Sequence, residues 1–219
     1  QYVYLGHYYG KQLPVIDSVK LDDESTAVFK GTKKLPGGIY LLGYPDKTGY
    51  FELIIDKEQR FAVQADTVSK YKGLKFQNSK ENQSFNAYQL LSQENGLRSD
   101  SAKKALANAK TKADSAKLND IVANAGKAVR TFREDFLKKN NDAVLSLIFR
   151  LTNEPIVPPA AMHPGGKYDS LYAYQYFKSH YWDGIYLFDE RLARTPGNLF
   201  ETKLDRYFEQ LVIPNADSV

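Results

Sequence analysis

Gly38 to Val63 reads GIYLLGYPDKTGYFELIIDKEQRFAV, and its pattern decides the fold class. Three runs rich in β-branched and aromatic residues, Ile39–Tyr44, Tyr50–Ile55 and Arg60–Val63, are separated by Pro45-Asp46-Lys47-Thr48-Gly49 and by Asp56-Lys57-Glu58-Gln59. Proline, glycine and aspartate supply the backbone geometry that a reversal needs, so the stretch predicts three strands in an antiparallel meander. Nothing in it reads as a catalytic nucleophile, a metal cluster or a phosphate cradle.

Upstream, the aromatic alternation of Gln1–Tyr9 and the run Gln12–Ser18 read as two strands joined at Gly10-Lys11. Pro14 lacks the N–H that a ladder uses, which places the second strand at a sheet edge. Asp22-Asp23-Glu24-Ser25 is a polar turn, Thr26–Lys30 a short strand, and Lys33–Gly38 a loop punctuated by Pro36-Gly37-Gly38. With a last strand near Leu74–Gln77, the first part of the chain predicts a small antiparallel β-sandwich or an open barrel.

The composition changes near Asn78, where β-branched residues and turns give way to Ala, Lys and Leu at helical spacing. Strands followed by helices predict an α+β chain, divided into a β domain over residues 1–77 and a helical domain over residues 78–219. Asn78-Ser79 caps a helix from Lys80 to Asn95, with Gly96 as its stop. Ser99-Asp100-Ser101 then caps a second helix from Ala102 to Lys139. Its apolar seam, Leu118, Val122, Ala125, Val129, Phe132 and Phe136, follows steps of three and four. Asn140-Asn141-Asp142 interrupts, and Ala143–Leu151 is apolar enough for a buried helix. Thr152–Gly166, with Pro155, Pro158, Pro159 and Pro164, is a loop. Helices follow over Lys167–Tyr181 and from Thr195-Pro196 to Leu211, and Pro214–Ser218 begins a further segment.

Bulk properties exclude more than they assign. The net charge is +4, and Lys103 to Lys139 alone holds ten basic against four acidic residues. This charge is interleaved with alanine rather than with aromatics or glycine-rich loops, so it reads as a solvated helix face and not as a nucleic-acid surface. The sequence contains no cysteine, which removes disulfides, thiolate metal sites and Cys-x-x-Cys redox chemistry from these residues. No apolar run approaches a membrane span.

His7, His163 and His180 fall in three different expected elements, without the convergence a metal site needs, so neither metal nor cofactor is expected. No nucleophile elbow, dinucleotide fingerprint or phosphate loop occurs. A hydrolase would require the fold to gather acids around His180 in a cleft. The most unusual feature is an aromatic belt from Tyr168 to Phe188. On a helix Tyr168, Tyr172 and Tyr176 form one row while Leu171, Tyr174 and Tyr181 point elsewhere, and Tyr168, Tyr172, Tyr176, His180, Tyr181 and Trp182 are the candidate interaction surface. The belt reads either as an inter-layer core or as an interaction surface for a peptide, a glycan or a partner domain.

VIDSV at Val15–Val19, FKG at Phe29–Gly31, LPGGIYLL at Leu35–Leu42 and FELIIDKEQRFAVQADT at Phe51–Thr67 resemble the β-rich domain at the N-terminus of many TlpA-type thioredoxin-like oxidoreductases of Gram-negative envelopes. YFKSHYWDGIYLFDERLARTPGNLFETKLDRYF at Tyr176–Phe208 resembles the helical domain that follows it in a subset of them. The resemblance implies a non-catalytic accessory region, in the periplasm or outer envelope, that positions a C-terminal thioredoxin-like domain or recognises its protein or peptide substrate. It also implies that the membrane is reached only through an N-terminal lipid anchor lying outside these residues. No redox residue carries over, because no position here matches one.

Overall fold

A computed structural model describes residues 1–45, 49–66 and 70–212. The chain adopts the expected α+β class. Strands β1 (Tyr2–His7), β2 (Val15–Lys20), β3 (Gly38–Gly43) and β4 (Tyr50–Ile55) form an open antiparallel sheet in the order β2-β1-β3-β4. Strands β5 (Ala62–Gln64) and β6 (Lys75–Gln77) pair only with each other.

The central strands are apolar without a break because both their faces are covered. Ile39 and Leu41 of β3 and Ile54 of β4 point to one side, where they meet Phe85, Val144, Leu145, Ile148 and Phe149 of the helices. Tyr40 and Phe51, Leu53 and Ile55 point to the other, against Leu74 and Phe76 of the β5–β6 hairpin. Each such side chain contributes about 1.5–3 kcal/mol by leaving water.

The meander stops one strand early. β5 does not extend the sheet, because the outer edge of β4 is already occupied by a side chain. Asn82 is fully buried; its Oδ1 accepts from the Ile54 N–H at 2.7 Å and its Nδ2 donates to the Ile54 carbonyl at 2.7 Å. One amide thus satisfies both ladder groups of Ile54. Gln59 bridges from the β4–β5 connection to Leu35 in the same manner, accepting from its N–H and donating to its carbonyl.

The opposite edge, β2, is guarded by other means. Pro14 precedes it, the register slips between Leu5 and Gly6, and the Asp17 carboxylate accepts from the Ser18 N–H at 2.7 Å. Missing donors, bulges and charges are the usual protections of an open edge. The strand expected over Thr26–Lys30 is irregular instead. Asp22 accepts from the N–H groups of Glu24 and Thr26, closing a local turn where strand pairing would have been.

Helix α1 (Lys80–Leu106) starts at the expected cap, Ser79, and runs straight through Gly96 and the Ser99–Ser101 cluster. Helix α2 starts later than the sequence suggests, at Lys112, and ends at Lys139. The true break falls at residues 107–111, where Thr111 Oγ1 accepts from the Asp114 N–H and donates to the Asp114 carboxylate. That reciprocal cap, together with the length over which α1 and α2 pack, outweighs the roughly 1 kcal/mol cost of a mid-helix glycine.

Helix α3 (Val144–Thr152) is the buried helix expected over Ala143–Leu151, with seven of its nine residues buried. It has no side-chain cap of its own; Glu81 of α1 accepts from the Leu145 N–H at 3.0 Å. Helix α4 (Ser170–Ser179) and helix α5 (Leu199–Arg206), the latter prolonged by a π-helical turn over Tyr207–Leu211, complete the chain. Residues 46–48 of the first expected turn and the segment Pro214–Ser218 lie outside the described residues.

Candidate functional site

The aromatic belt divides into three parts. Asp169 caps α4 by accepting from the N–H groups of Leu171 and Tyr172. This fixes the helix phase that sets Tyr172, Tyr176 and His180 on one row, four residues apart. The loop before α4 adds His163, which is buried between Tyr168 and Tyr172, with ring centres 5.5 and 4.7 Å away. Its Nε2 donates to the Pro158 carbonyl at 2.9 Å and its Nδ1 accepts from the Asp169 N–H at 3.0 Å. Tyr176 continues the ladder to His180, stacked on it at 3.9 Å. Tyr168 is exposed, and Tyr172, Tyr176 and His180 are half-buried.

Tyr181 and Trp182 turn inward instead. Tyr181 is buried and donates to the Lys203 carbonyl at 3.1 Å, while Trp182 packs on Phe200 and Tyr207. Together they enclose the Lys203 ammonium, which lies 4.1 Å from the Tyr181 ring centre and 5.7 Å from that of Trp182, and donates to the Asn153 carbonyl at 3.0 Å. Burial lowers the lysine from its ordinary value, against the opposing field of Glu154. An ammonium taken out of water finds partial compensation over aromatic faces. Sequence reading missed Lys203, since nothing local distinguishes it from a solvated helix residue.

The third part is the most exposed. Tyr186, Leu187 and Phe188 stand in solvent, Phe188 at 82% of its full exposure. Leu187 and Phe188 border an open groove of about 790 Å³ that Tyr9, Gly10 and Lys11 close from the opposite side, with Glu190, Phe200 and Glu201 along it. The groove exists because the segment Glu190–Arg194 docks on the end of the sheet. Arg191 ties it there through Asp189 at 2.6 Å, Asp142 at 3.2 Å and Asp56 at 3.3 Å. The hydrogen bonds that Arg191 donates to Asp189 raise the arginine further above its ordinary value. Burial pushes Asp189 up, and the Arg191 contacts overcome that and hold it below the usual carboxylate range. A side-chain methylene on Gly37 would meet Asp56 Oδ1 at 2.6 Å, and one on Gly38 would meet Arg194 Cβ at 2.3 Å. The pair Gly37-Gly38 at the start of β3 is therefore what admits the docked segment.

A second groove, about 680 Å³, runs between α1 and α2 past Gly96 and Gly126, with the exposed Ile156 at its rim. Arg133 at its floor is held by hydrogen bonds from Nε and Nη2 to the Tyr88 hydroxyl.

The arrangement a hydrolase needs does not assemble around His180. Its Nδ1 faces the Tyr176 carbonyl at 2.8 Å and Ser179 Oγ at 3.0 Å, both within the end of its own helix. Among the described residues no carboxylate makes a hydrogen bond with it, and no group of three His, Asp or Glu side chains is placed to hold a metal ion. No described helix is long and apolar enough to cross a membrane.

Residues 1–85, the sheet, the hairpin and the start of α1, match the model of a family described as a domain of unknown function (DUF4369). No curated protein and no solved structure matches the chain.

Proposed function

We propose that this chain is a non-catalytic accessory region of an envelope thioredoxin-like thiol-disulfide oxidoreductase, one that positions the redox domain or recognises its substrate. The observation that carries the reading is a sequence without cysteine in a chain that resembles the N-terminal part of such proteins. Thiol–disulfide exchange proceeds by attack of a thiolate, so electrons must pass through a neighbouring thioredoxin-like domain. The polar clusters support this division of labour. Asn82, Arg191 and Lys203 all spend their hydrogen bonds on holding elements together. The purified chain is expected to reduce insulin disulfides at the blank rate; turnover above blank overturns the reading.

A second reading, a cell-surface module binding glycans or peptides through the belt from Tyr168 to Phe188, is favoured by the exposure of Tyr168, Tyr186 and Phe188. Exposed aromatic clusters rimmed by polar groups mark interaction surfaces. A glycan array bound by the chain and lost in Phe188→Ala supports that reading over the first.

A further inference from the structure

The groove between the Tyr9–Gln12 turn and the 187–201 segment has a ligand preference written into its rim. Its turn is rigid: Tyr9 and Gln12 exchange backbone hydrogen bonds at 3.0 Å, and the Gly10 N–H donates to the Ala193 carbonyl. Gly10 has φ of 55°, and the Glu201 carboxylate lies 3.0 Å from where a β-carbon would be. The positive φ favours glycine at this turn position.

Four charged residues line the groove, Lys11, Asp189, Glu190 and Glu201. Asp189 is committed to Arg191. Neither Glu190 nor Glu201 takes part in an ion pair among the described residues. Two uncommitted carboxylates thus face one ammonium, between the exposed faces of Tyr9 and Phe188. Aromatic faces and carboxylates both attract cations, and a guanidinium satisfies both at once by stacking and by forked donation.

We propose that this groove recognises an arginine side chain flanked by apolar residues on an exposed, extended segment of a partner protein. The proposal rests on the accessory-region reading and names what that region would select: a basic, partly unfolded stretch of a polypeptide substrate. Leu187 and Phe188 cover the apolar neighbours, and Glu190 and Glu201 receive the guanidinium.

The test is a heteronuclear NMR titration of the labelled chain with two capped nonapeptides, one with two arginines between leucines and one with glutamates in their place. The arginine peptide is expected to move the amide signals of residues 9–12, 187–190 and 201. It should bind about tenfold more tightly than its glutamate twin, the scale of one cation–π and one carboxylate contact. Glu190→Gln with Glu201→Gln is expected to erase that ratio, and Phe188→Ala to weaken both peptides. Phe188 and Glu190 are exposed and Glu201 is half-buried, and unchanged amide spectra away from the groove report intact folding. Equal affinity for the two peptides, or a ratio that survives the double glutamine variant, overturns the proposal. Shifts confined to Tyr168, Tyr172, Tyr176 and His180 overturn the groove assignment and leave substrate recognition standing. An absence of shifts overturns both.

Discussion

Asn82 shows how much of this fold hangs on single polar side chains. Its amide stands in for a fifth strand, and truncation leaves the Ile54 N–H and carbonyl buried without partners. Asn82→Ala is expected to cost about 2–4 kcal/mol, read as a lower urea midpoint with an unchanged slope. Lys203 is the opposite case, a buried cation whose stem packs well and whose charge is a burden. Lys203→Met keeps the stem in the aromatic cage and is expected to leave stability within about 1 kcal/mol or raise it, whereas Lys203→Ala loses about 2–3 kcal/mol of packing. The pH dependence has a definite sign. Burial lowers the folded lysine below 10.5, so the unfolded chain binds more protons in between. Native stability relative to Lys203→Met therefore rises as pH climbs toward 10.5, which paired melts at stepped alkaline pH measure.

At the scale of elements, what was legible in the sequence was what is local. Runs of β-branched and aromatic residues between turn signals gave β3 and β4, Ser79 gave the start of α1, and the seam from Leu118 to Phe136 gave the inner face of α2. Phe132 and Phe136 do pack there, against Tyr88 and Phe149. The helix break was misplaced because Gly96 is a weak signal. A methylene added there meets nothing within 4 Å, and the pairing of α1 with α2 carries the helix through. Gly96→Ala is accordingly expected to stabilise the chain by about 0.5–1 kcal/mol, a higher midpoint of thermal unfolding. Gly38 is the opposite case, since alanine there collides with Arg194. That variant is expected to lose more than about 2 kcal/mol and to loosen the docked 190–194 segment. Which half of the belt faces water was beyond the sequence, because Tyr176 and Tyr181 read alike. What separates them is Lys203, 22 residues beyond Tyr181, a long-range contact that no local pattern encodes.

The whole molecule is held as one piece by core and latch together. Helices α1 and α3 share a core with the sheet, and Arg191 joins the end of β4, the α2–α3 turn and the C-terminal segment. Arg191→Met leaves two half-buried carboxylates uncompensated and is expected to cost about 2–4 kcal/mol. Acid acts on the same latch: Asp189 and Asp142 titrate below 3.8 when folded, so their contribution is present above that value and lost as pH falls through the folded values. Asp142 is exposed and contributes little of this. Glu81, raised by burial, adds the contrary slope, which the field of Arg191 reduces.

On the accessory-region proposal, function lies on the surface of this chain and the electron transfer in a neighbouring domain. The most direct measurement joins the chain to a thioredoxin-like catalytic domain and follows disulfide reduction of an unfolded, arginine-bearing protein with and without it. The expected result is a lower KM at unchanged kcat in the joined protein, with the isolated chain at the blank rate. Turnover by the isolated chain, or a joined protein whose KM does not move, contradicts the account.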